Sequence, residues 1–271
     1  MPEMIRPFTS KRPPRVAVID FDGTLSLLRA GWVEIMVDMM LDVLRPLPGS
    51  HESPDGLVAF ISDFVLNLNG RPTIYQMDYF VNVAIQRGGH PESAEFYTRQ
   101  FLDILNARSN QRIVAIATGD IATDEMLVPG AREMLADLQS HGVQLTLASG
   151  TPEIHVRHEA RQLGIDHFFE GRIFGPGNAS REFSKLDVMK RTLEAAGADG
   201  AELLGIGDGF TEIENTKEVG GIAIGCASDE VHRSGEVEGW KRTRLIQAGA
   251  DIIVPDYRRW DLLAGILFTG R

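Results

Sequence analysis

Arg15-Val16-Ala17-Val18-Ile19-Asp20-Phe21-Asp22-Gly23-Thr24 is the stretch on which the reading of this chain turns. Residues 16–19 are short, apolar and mostly β-branched, as in a strand buried on both faces of a parallel sheet. A buried strand that ends in two carboxylates carries a desolvation cost, so charge is expected to be needed there. Residues two apart in a strand point the same way, which puts Asp20 and Asp22 on one face. Gly23 lets the chain turn away at once. The expected product is a pair of acids at the carboxyl end of a strand, where open α/β sheets bind ligands.

Two acids so placed can divide labour. One can act as a nucleophile while the other donates and later accepts a proton. Clustered carboxylates repel, and a hard cation such as Mg²⁺ relieves the repulsion. The competing explanation is a strand-to-turn Asp with a local backbone hydrogen bond. It accounts for one Asp, and poorly for a pair followed by Gly-Thr.

Working outward, residues 143–148 form a second apolar run, and it ends in Ser149-Gly150-Thr151. A hydroxyl and backbone N–H groups at a strand end can hold phosphate oxygens, although Ser-Gly-Thr is also ordinary turn chemistry. Ser184-Lys185-Leu186-Asp187 opens a helical pattern that Gly197 closes, with spacing like a capping box. Lys185 in that first turn opposes the helix dipole, so it is either a tolerated surface residue or a cation wanted for an anion. A third apolar run, 203–207, leads into Asp208-Gly209-Phe210-Thr211-Glu212. Asp208 and Glu212 can complete an oxygen-rich Mg²⁺ site with Asp20 and the backbone carbonyl of Asp22. A dinucleotide loop at Gly205-x-Gly207-x-Gly209 is disfavoured: the glycine spacing is wrong, and Asp208 would repel a pyrophosphate.

These four elements in this order resemble the signature motifs of the haloacid dehalogenase superfamily of phosphohydrolases. The resemblance covers about residues 14–28 and 126–256. It implies an α/β fold, a Rossmann-like parallel-sheet core with a smaller helical cap domain. It makes Asp20 the nucleophile, Asp22 the general acid and base, and Lys185 the cation that neutralises nucleophile and phosphate. Ser149 becomes the phosphoryl-binding hydroxyl, with Gly150 and Thr24 as further phosphate contacts. Asp20, Asp22, Asp208 and Glu212 become the metal set, with Mg²⁺ as cofactor. The implied activity is hydrolysis of a small phosphorylated metabolite: a sugar phosphate, a phosphoglycolate-like acid or a nucleoside monophosphate. Dehalogenation is disfavoured, because relatives with that activity lack the second acid present here as Asp22. A phosphomutase, and a non-catalytic protein that binds a phosphorylated ligand, remain the alternatives.

Composition fits that expectation. The 271 residues are 43% hydrophobic, enough for a sizeable core, and carry a net charge of −11. That sign disfavours nucleic acid or an anionic membrane as partner. The single cysteine, Cys226, precludes an internal disulfide and reads as a buried thiol, compatible with a cytoplasmic location. No apolar run is long enough to span a bilayer, and residues 1–14 read as a flexible lead-in. Monomer and homodimer both stay open.

Runs of strand and helix alternate from residue 126 onward, as in a parallel sheet with crossovers. Residues 29–125 break that alternation and show helical apolar spacing, so the expected division is 1–28 with 126–271 as core and 29–125 as a cap able to close over a site. Residues 113–117 fit strand or helix equally. The methionines at 36, 39 and 40 read as packing within the cap. Arg29 and Arg71 are the cap's candidate substrate contacts, Arg71 opening a polar, aromatic loop through Gln76, against an alternative in which these are surface residues with a helix starting at Pro72. His155 and His158 lack partners at zinc-ligand spacing and read as surface residues. Trp240-Lys241-Arg242-Thr243-Arg244 reads as a solvated basic helix face.

Overall fold

The computed structural model describes residues 1–7, 12–68, 72–177 and 183–269. Its strands are β1 (Glu3–Met4), β2 (Val16–Ile19), β3 (Gln144–Ala148), β4 (Ile173–Phe174), β5 (Leu203–Gly207), β6 (Ile222–Cys226) and β7 (Ile252–Val254). They form one sheet in the order β1-β7-β6-β5-β2-β3-β4. All neighbours are parallel except β1, which runs antiparallel to β7 at the edge. Every residue of β2, β5, β6 and β7 is buried, which explains why they read as unbroken apolar runs and not as alternating ones.

Ten described helices accompany the sheet: α1 (Trp32–Leu44), α2 (Pro54–Asn67), α3 (Thr73–Gln86), α4 (Ala94–Thr118), α5 (Ala131–Ser140), α6 (Glu153–Gln162), α7 (Lys185–Ala196), α8 (Phe210–Glu218), α9 (Gly239–Ala248) and α10 (Trp260–Ala264). None is long and apolar enough to cross a membrane.

The chain separates into two compact units, residues 1–28 with 112–271, and residues 29–111. The larger unit holds the sheet. The smaller is helical, with Met36, Met40, Leu44, Ile61, Met77 and Phe80 at its centre. Two of the methionines singled out in the sequence thus fill helix–helix gaps, and Met39 packs in the same cluster. Residues 113–117 are helical, as part of α4.

Two local expectations are corrected. Residues 3–4 are not a free lead-in: Glu3 and Met4 pair with Ile253 and Ile252, a strand too short to show periodicity. Before β4 the chain makes a tight turn at Asp166–Phe169. The polar loop through Gln76 is the start of α3, and Gln76 is buried with its Nε2 donating to the Val65 carbonyl at 2.8 Å. Arg71 lies outside the described residues.

β2 sits between β3 and β5, and the chain passes from β2 to β3 and β4 before returning to β5 on the other side. The carboxyl ends of β2, β3 and β5 therefore meet at the switch point of the sheet, where such folds bind ligands.

Candidate active site

The four predicted elements converge at that switch point. Asp20 follows β2 and is almost buried, with its N–H bonded to the Ile206 carbonyl of β5. The next turn is tight: the Phe21 carbonyl accepts from the N–H groups of Thr24, Leu25 and Ser26. Gly23 adopts φ 71°, and a Cβ there would collide with the Asp208 carboxylate. Glycine is required at this point both for the backbone conformation and for the close approach.

Lys185 is the first residue of α7. Ser184 caps that helix by accepting from the Asp187 N–H at 3.1 Å, and Gly197 ends it in a left-handed turn. Lys185 Nζ donates to Asp20 Oδ1 at 2.7 Å and also to Glu212 Oε1. Of the two readings open for this lysine, a surface residue is eliminated: its side chain is only 11% exposed. Burial alone would lower its pKa, but Asp20 and Glu212 outweigh that, and the net shift is upward.

Asp22 Oδ2 accepts from the Thr151 hydroxyl at 2.8 Å and, more weakly, from Ser149 Oγ at 3.4 Å. Ser149 Oγ in turn accepts from the Thr151 N–H at 3.0 Å, which fixes the turn after β3. Gly150 is exposed between them. Thr24 is fully buried, and its hydroxyl makes a long 3.5 Å contact to Asp208 Oδ1. Arg29 lies in the turn before α1, in the smaller unit.

Asp208 follows β5, and Glu212 lies in the first turn of α8. The contact of Asp208 that the sequence did not foretell is Lys241 Nζ, which donates to Asp208 Oδ2 at 2.9 Å and to Glu230. Lys241 is 3% exposed, so the expectation of a solvated basic face on α9 is corrected at this position. Its neighbours remain nearer the surface, with Arg242 bonded to Glu3 and Arg244 over the Phe210 ring. Nothing in the basic run distinguishes Lys241, because its partners lie 11 and 33 residues away in sequence. Thr151 and Glu230 were also not singled out.

Burial raises the Asp20 pKa well above the ordinary carboxylate range, with Lys185 opposing it. Burial likewise pushes Asp208 up to about 6 against the pull of Lys241. Removing so many ions from water costs several kcal/mol each, so the cluster is a poor device for stability. Charges buried against that cost, at a sheet switch point, make this cluster the candidate functional site.

The donor chemistry fits a hard cation. Asp20, Asp22, Asp208, Glu212 and Glu230 outnumber Lys185 and Lys241, and Glu212 Oε2 is buried without a hydrogen-bond partner. Among the described residues no three acidic, His or Cys groups converge as a ready cage. Mg²⁺ seldom has one: it is commonly held by one or two carboxylates and completes its shell with water and phosphate oxygens. Glu212, expected among its ligands, gives its other oxygen to Lys185.

Fold and site together define an α/β protein with a buried carboxylate–lysine centre. The chain belongs to the haloacid dehalogenase-like hydrolase family, whose match covers residues 14–220. Among solved structures, a predicted phosphoglycolate phosphatase from Haemophilus somnus is 19% identical, with TM-score 0.60, covering 96% of this chain and 100% of that one. A haloacid dehalogenase-like protein of unknown function from Agrobacterium tumefaciens is 16% identical, with TM-score 0.63, covering 95% and 100%. A family hydrolase from Deinococcus radiodurans, with bound phosphate and sodium, is 18% identical, with TM-score 0.57, covering 95% and 97%. No curated protein matches the chain.

Proposed function

We propose that this hydrolase is a Mg²⁺-dependent phosphomonoesterase acting on a small phosphorylated metabolite. The observation that carries the reading is the buried Lys185 ammonium bonded to Asp20 across 165 residues of sequence. Lys185 opposes the effect of burial on the Asp20 carboxyl and so favours its ionised, nucleophilic form, and it leaves a cation beside the phosphoryl group being transferred.

In this reading Asp20 attacks phosphorus in line and forms an aspartyl-phosphate. Asp22, oriented by Thr151, protonates the leaving oxygen and then takes a proton from the water that hydrolyses the intermediate. Ser149, the backbone around Gly150, and Lys185 bind the phosphoryl oxygens. Bound Mg²⁺, held by Asp20, Asp208 and the Asp22 carbonyl with Glu212 close by, would neutralise charge on the phosphate. The helical unit would carry substrate choice, with Arg29 and Arg71 as candidate contacts. The phosphatase description of the Haemophilus protein and the phosphate in the Deinococcus structure support this substrate class.

The test is phosphate release from a panel of sugar phosphates, phosphoglycolate and nucleoside monophosphates, with and without Mg²⁺. Wild type should release phosphate only with Mg²⁺. Asp20→Asn should lose roughly a thousandfold or more while keeping its circular dichroism. Near-normal release by Asp20→Asn would overturn the assigned roles. Isomerised phosphate esters in place of free phosphate would identify a mutase.

A further inference from the structure

Glu230 and Lys241 lie beyond the span that matches the family, yet both reach the reactive centre. Glu230 sits on the segment between β6 and α9. That segment is pinned to the Asp20–Thr24 turn in two ways. Ser228 Oγ donates to the Gly23 carbonyl at 2.9 Å. The Gly23 backbone also packs so closely on Glu230 that a Cβ would come within 2.8 Å of its Oε1. Lys241 projects from the first turns of α9, whose Leu245 is fully buried among Ile213, Ala223, Ala227 and Ile253. The ammonium therefore stands on a rigid helix and is held by a carboxylate that is itself held.

The consequence falls on Asp208. Lys241 engages Oδ2 alone. Among the described residues, Oδ1 has only the long Thr24 contact. We infer that Lys241, anchored by Glu230, is a positioning residue that fixes the Asp208 carboxylate by one oxygen and so presents the other to a divalent cation.

This rests on the metal-dependent reading above and adds to it a residue pair outside the four motifs. It also has a sign that simple electrostatics does not share. A positive charge beside a metal ligand disfavours a second cation, so a purely electrostatic Lys241 would weaken Mg²⁺ binding. A positioning Lys241 strengthens it, because an oriented carboxylate loses less freedom on coordination.

The test is calorimetric titration of Mg²⁺ into the substrate-free full chain, for wild type, Asp208→Asn, Lys241→Met and the double variant Lys241→Met/Glu230→Gln. Lys241→Met alone leaves Asp208 and Glu230 facing each other unpaired and can fail to fold. The double variant removes one charge of each sign, so the local formal charge is unchanged and the fold is spared that repulsion. Wild type should bind Mg²⁺, Asp208→Asn should not, and the double variant should bind about tenfold more weakly than wild type. Wild-type affinity in the double variant would overturn the inference and leave the metal reading standing. Tighter binding in Lys241→Met would also overturn it, since the lysine would then be a competitor for Asp208. Absence of Mg²⁺ binding by wild type would overturn the metal reading and this inference with it.

Discussion

Gly23 shows how much chemistry can rest on a missing side chain. Its φ of 71° suits glycine, and its Cα packs against both Asp208 and Glu230. Gly23→Ala should therefore lose at least about 1 kcal/mol from the left-handed backbone alone. The displaced Asp208 should weaken phosphate release as well. Urea unfolding and phosphate-release assays of the same preparation check both effects, and an alanine variant as stable and active as wild type would contradict them. Thr151 and Lys241 also act on other residues, Thr151 on Asp22 and Lys241 on Asp208. Each is an ordinary residue type whose importance comes from the carboxylate it touches.

Elements place these side chains through their ends. β2, β3 and β5 each stop where a polar residue is needed, and α7 begins on the lysine that bonds Asp20. In the helical unit, Ser53 caps α2 by accepting from the Gly56 N–H, with Pro54 as first residue. Just before that cap, Glu52 takes two hydrogen bonds from Arg87, the residue ending α3. Those bonds hold the exposed Glu52 carboxyl at about 2, against an ordinary 4.5. A carboxyl whose folded pKa is depressed stabilises the fold above its unfolded pKa and loses that contribution as pH falls. The window here runs from about 4.5 down to about 2. A carboxyl-carbon NMR titration should put the Glu52 midpoint near 2 in wild type and raise it in Arg87→Met, short of a full return to 4.5 because backbone N–H bonds to the carboxyl remain. A midpoint unchanged by that substitution would remove Arg87 as the cause.

The molecule as a whole buries its one cysteine in the sheet, on β6. Burial pushes the Cys226 thiol up to about 12, so it stays protonated and shielded in the native state at pH 8. Labelling by a thiol reagent should then proceed only through unfolding and accelerate in step with the unfolded fraction in urea. Complete modification of native protein within seconds would show that β6 opens locally. The same sheet explains what could be read before any coordinates. The buried parallel strands are legible as apolar runs because both faces are covered, and Asp20, Asp22 and Asp208 are legible because a buried strand end tolerates a carboxylate poorly, whereas Lys185 at a helix start fitted a surface residue equally well until the resemblance gave it a role. β1 escaped notice because a two-residue edge strand has no period. Lys241 escaped because a lysine within Trp240-Lys241-Arg242-Thr243-Arg244 has the composition of a solvated face, whatever it reaches in space. Local pattern, set by backbone geometry and burial, was enough to determine the fold class and the acids at the strand ends. Only the tertiary structure decided that Lys241 meets Asp208 and Glu230, because an ion pair depends on distance in space and leaves no trace in the spacing of the chain.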